Sequence, residues 1–67
     1  MSYEIGFSPK GDRKVSVTYK QHARDAWELV EALQASDEEI RYIKVPQGYE
    51  IGIGELELLA EKEGDEA

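Results

Sequence analysis

Apolar residues fall at every second position at the start of the chain. Tyr3, Ile5 and Phe7 take one side and Ser2, Glu4 and Gly6 the other, which is the period of a half-buried strand. Ser8-Pro9-Lys10-Gly11-Asp12 breaks the alternation with turn chemistry, because proline fixes one dihedral and glycine admits positive φ. Alternation resumes with Val15, Val17 and Tyr19 against Lys14, Ser16, Thr18 and Lys20. Two alternating runs around a Pro/Gly loop predict a β-hairpin, with the valines and Tyr19 on its covered face.

The period then lengthens. Ala23, Ala26, Trp27, Val30 and Leu33 recur at three- and four-residue spacing, and Leu29 widens the stripe. This predicts an amphipathic helix fading near Ser36. Asp25 in its first turns complements the helix dipole, and Arg24 and Glu28 can pair one turn apart. Ser36-Asp37-Glu38-Glu39 matches a capping box. The β-branched and aromatic run Ile40-Arg41-Tyr42-Ile43-Lys44-Val45, stopped by Pro46, instead predicts a strand with 36–39 as its approach. Pro46-Gln47-Gly48 turns the chain, and Tyr49, Ile51 and Ile53 alternate as a fourth strand.

From Gly54, the stripe Leu56, Leu59 and Ala60 predicts a second helix. Glu57 and Glu61 repel one turn apart, and Glu61 and Glu63 sit at the end that prefers cations. The helix is therefore expected to fray, leaving 63–67 as a disordered acidic tail after a single domain over 1–62.

The order ββαββα predicts an α+β two-layer sandwich. A mostly antiparallel four-stranded sheet would carry both helices on one face. Tyr3-Glu4-Ile5-Gly6 recurs as Tyr49-Glu50-Ile51-Gly52, which similar strand roles explain better than duplication.

Sixty-seven residues make one small domain with a marginal core. With no cysteine, disulfides and thiolate metal sites are excluded, so a second subunit or partner that completes the core is a live alternative. The first residues lack a basic segment followed by an apolar run, and no apolar stretch nears the ~20 residues that span a bilayer. Both point to a cytoplasmic protein that does not engage membranes.

Charge adds what the pattern leaves out. Residues 1–35 carry five acids and five bases, and residues 36–67 carry ten acids and three bases, so the later half holds the whole formal charge of −7. Net charge speaks to partners rather than to fold.

No catalytic constellation stands out. The single histidine, His22, opens the first helix without an orienting acid or nucleophile on its face. Asp37-Glu38-Glu39 lacks the spaced ligands and central glycine of a calcium loop. Gly52-Ile53-Gly54 precedes a helix, but the third glycine of a phosphate loop is replaced by Glu57. The expected protein is non-enzymatic, with no cofactor and no metal.

Three binding readings follow. In the first, Asp37, Glu38, Glu39, Glu50, Glu55, Glu57 and Glu61 meet a basic protein surface, with Tyr42 and Leu58 as apolar anchors. Its sharpest version is an inhibitor that imitates a nucleic acid and occludes a nucleic-acid-binding groove. In the second, Lys10, Arg13, Lys14, Lys20 and Arg24 of the basic first hairpin contact phosphates, although the acidic balance works against nucleic acid. In the third, an uncovered sheet face holding Gly6, Ser16, Thr18 and Gly52 beside Tyr42 pairs with itself in a homodimer.

Overall fold

The computed structural model describes residues 1–65. Its elements are β1 (Tyr3–Pro9), β2 (Ser16–Lys20), α1 (Ala23–Ala35), β3 (Glu38–Lys44), β4 (Glu50–Ile51) and α2 (Ile53–Asp65). The strands form one sheet in the order β2-β1-β3-β4, with every neighbouring pair antiparallel. This is the α+β sandwich that the periodicities predict, in the same ββαββα order.

Register decides which side chains the sheet buries. Ile5 lies opposite Thr18 on β2 and Ile43 on β3, and Ile43 lies opposite Ile51 on β4. Directly opposed residues share a face, so this row forms the floor under the helices. Between the pairs Gly6–Tyr42 and Phe7–Ile40, β3 carries one extra residue, Arg41. The bulge turns Ile40 to the helix face together with Ile43, although strict alternation would place it beside Tyr42.

Both helices cover that floor. Ala23, Ala26 and Val30 of α1 and Leu56 and Ala60 of α2 are buried against Ile5 and Ile43. Each of the larger side chains contributes about 1.5–3 kcal/mol by leaving water. Alanines at the contact let the two helices approach closely. The Tyr-Glu-Ile-Gly repeat now has a structural meaning. Its two copies flank β3, with Ile5 and Ile51 on either side of Ile43 and Glu4 and Glu50 on either side of Lys44.

Three expectations need correction. The first concerns β2. Thr18 faces the helices opposite Ile5, so Val17 and Tyr19 point to the open face, opposite Gly6 and Glu4. They are 42% and 61% exposed, and Val15 is 46% exposed. Both helices lie on the other face of the sheet, so they do not cover Val17 and Tyr19. The second concerns β4, which shrinks to two residues because α2 begins at Ile53; the Gly52 carbonyl accepts the Leu56 N–H and opens the helix.

The third concerns the acidic tail. α2 does not stop at Lys62 but continues to Asp65, while Glu66 and Ala67 lie outside the described residues. Glu63 has a partner that strengthens this end. His22 enters α1 without capping it through its side chain. Instead Glu63 accepts hydrogen bonds from the Ala23 N–H at 2.7 Å and the Arg24 N–H at 3.4 Å. Its misplaced charge at one helix terminus becomes a favourable charge at the terminus of another. Replacing Glu63 by alanine should cost about 1 kcal/mol, the usual cost of a lost cap. Urea unfolding monitored by circular dichroism measures it.

Candidate interaction surface

The helices run antiparallel, since Glu63 near the end of α2 meets the start of α1. Between them lies a groove of about 660 Å³, lined by Arg24, Trp27, Glu28, Glu31, Glu57, Ala60 and Glu61. Four carboxylates thus rim a floor of Trp27 and Ala60. Two of the four, Glu28 and Glu31, come from the half of the chain whose charges balance.

Charge therefore segregates by layer as well as along the chain. Within residues 1–65 the helices carry eight acids (Asp25, Glu28, Glu31, Glu55, Glu57, Glu61, Glu63, Asp65) against two bases (Arg24, Lys62), a net charge of −6. The strands and connections carry six acids and six bases, a net charge of zero.

A second groove, of about 410 Å³, lies on the other flank of α2. Tyr49, Ile51, Leu58 and Leu59 form its apolar wall, with Glu55, Glu61 and Lys62 at the rim. Leu58 and Tyr49 are 63% and 60% exposed. Glu61 lines both grooves. Of the expected partner-binding residues, Glu55, Leu58 and Glu61 line this groove, while Glu57 and Glu61 line the interhelix one. Tyr49 is the residue that alternation missed. Alternation places it in the fourth strand with Ile51 and Ile53, but the strand starts only at Glu50.

Asp37, Glu38 and Glu39 do not join them. They lie beside the β1–β2 loop. Asp37 takes a left-handed φ of 61° and its carbonyl accepts the Lys10 N–H. Glu38, opposite Pro9, has one carboxylate oxygen buried without a hydrogen-bond partner among the described residues. Glu39 pairs with Arg41 at 3.5 Å. Glu50 is exposed on the open face of the sheet, opposite Lys44.

The basic residues also divide. Lys10, Arg13 and Lys14 stay in the β1–β2 loop, where Asp12 accepts the Lys14 N–H through Oδ1 and the Arg41 Nη2 through its carbonyl. Lys20 lies opposite Tyr3 on the helix face, and Arg24 lines the acidic interhelix groove. No single phosphate track unites all five.

The open face of the sheet holds Val17, Tyr19, Gly6 and Tyr42, not Ser16 and Thr18. The Tyr42 ring lies across Gly6; a Cβ there would sit 2.7 Å from the ring Cζ. The Tyr42 hydroxyl donates to Glu4 Oε2 at 2.5 Å, and Lys44 Nζ stands 6.0 Å from the ring centroid. Tyr42 is thus held down on the sheet rather than projecting from it as an anchor. On the same face Arg41 Nε donates to the buried Ser8 hydroxyl at 2.8 Å.

Among the described residues, no three His, Cys, Asp or Glu side chains converge as a metal site, and no helix is long and apolar enough to cross a membrane. Comparison with protein-family models, with curated proteins and with solved structures finds no match.

The Glu4 hydrogen bond pushes the Tyr42 phenol up to about 12. A raised pKa means that the folded state holds this proton more tightly than the unfolded chain does. Its stabilisation is present below the ordinary tyrosine pKa of about 10 and is lost as the pH rises through the folded value. Phenolate absorbance should show the Tyr42 step late, beside a rise at Tyr3 caused by burial, and Glu4→Gln should return the Tyr42 step toward the ordinary range. An unchanged titration in the variant would remove Glu4 as the cause.

Proposed function

We propose that this chain is a non-enzymatic protein-interaction module whose acidic helix layer docks on a basic surface of another protein. In its sharpest form it occludes a nucleic-acid-binding groove, with carboxylates standing in for phosphates. One observation supports the reading above all: the helices hold the entire net charge of residues 1–65, while the sheet layer is neutral. A one-signed layer steers a basic partner and orients its approach, and it repels nucleic acid itself. The convergence of Glu28, Glu31, Glu57 and Glu61 along one groove gives that field a direction.

The test begins with a partner captured from the native cell and identified by mass spectrometry. Glu28→Lys, Glu57→Lys and Glu61→Lys together should slow its association by at least about tenfold at low salt, with the difference shrinking as salt rises. Circular dichroism should remain unchanged, because all three side chains are exposed. Association at the wild-type rate would take the acidic layer out of the account.

A second reading draws on the open sheet face. Val17 and Tyr19 are exposed there on a neutral layer, and Val15 is exposed just before β2. Two copies could meet through it with their acidic layers turned apart. In that case sedimentation at micromolar concentration should give twice the monomer mass, and Val17→Asp should halve it. A wild-type monomer ends this reading.

A further inference from the structure

An acidic field attracts and orients, but affinity comes from buried apolar anchors. Resting on the acidic-layer reading, we infer that the groove between β4 and α2 is the anchor point. It takes one large apolar side chain, leucine or aromatic, carried on a lysine- or arginine-bearing segment of the partner protein.

The first support is shape. Tyr49 and Leu58, on either side of β4, are largely exposed and converge with Ile51 and Leu59 on about 410 Å³. That volume lies in the lower range of sites that enclose an organic group. Leu58 does not serve the fold, since Leu56 and Ala60 already bury that helix against the core.

The second support is charge. Glu55 and Glu61 stand three residues before and after Leu58, so all three share one side of α2. Lys62 is the single base at the rim. Glu61 joins this rim to the interhelix groove, where Glu28, Glu31 and Glu57 continue the negative field. A segment with bases around one apolar side chain matches both features. An acidic or phosphate-bearing ligand matches neither.

The test uses two fluorescein-labelled peptides, each with four lysines flanking a central position that is leucine in one and serine in the other. Fluorescence anisotropy should show the leucine peptide binding about tenfold tighter or more, the expected gain from burying that side chain. Amide shifts in an NMR titration should concentrate at Tyr49, Ile51, Leu58 and Leu59. Leu58→Ser should leave the fold intact and abolish the preference for leucine. Glu55→Lys with Glu61→Lys should weaken both peptides alike.

Equal binding of the two peptides, or a preference that survives Leu58→Ser, overturns the anchor while leaving the acidic layer standing. A leucine preference that survives the double charge reversal at full affinity keeps the anchor and removes the acidic layer. Absence of saturable binding by either peptide overturns both. If the same amide shifts arise from raising the protein concentration alone, a second copy fills the groove and the anchor for a basic partner is overturned.

Discussion

Arg41 is the unpaired residue between the Gly6–Tyr42 and Phe7–Ile40 rungs, and much of the molecule's geometry rests on that extra position. Without it, Ile40 and Ile43 could not both face the helices, because residues three apart on a regular strand point in opposite directions. With it, both isoleucines reach the core side, and Tyr42 between them is turned outward over Gly6. The displaced residue is also put to use. Arg41 reaches across to the Ser8 hydroxyl and the Asp12 carbonyl and ties β3 to the β1–β2 connection.

Once register is set, the two layers acquire different characters. The sheet layer mixes signs in equal number, and the helix layer is one-signed. The same acids that the chain spreads over both halves, such as Glu28 and Glu31 on α1 and Glu57 and Glu61 on α2, become neighbours because the helices run antiparallel. This arrangement has an electrostatic cost in self-repulsion. It is offset where α2 crosses the start of α1, since Glu63 there meets unsatisfied N–H groups instead of another carboxylate.

Much of this was legible in the amino-acid pattern. The change from a period of two to a period near 3.6 located both helices, and turn chemistry located the hairpins. What the pattern could not supply were the outcomes of pairing. Val17 and Tyr19 read as core residues because alternation identifies a face without saying which face is covered. The answer depends on the Ile5–Thr18 rung. Likewise, charge counted along the chain joined Asp37 and Glu39 to Glu57 and Glu61. The fold leaves the first two beside Lys10 and Arg41 instead. Leu58 is exposed, as its offset from Leu56 and Leu59 within α2 predicts. Tyr49 was missed, because a two-residue β4 cannot be told from a longer strand by composition.

The bond from Ala23 to Glu63 spans forty residues and joins the last turns of α2 to the opening turn of α1. During synthesis from the N-terminus, α1 leaves the ribosome long before its cap exists. Its leading amides stay bound to water until the closing segment emerges. The sheet's β1–β3 pairing can form earlier, but the helix layer is finished only once α2 has been made through Glu63. The sheet can therefore form ahead of the completed helix layer.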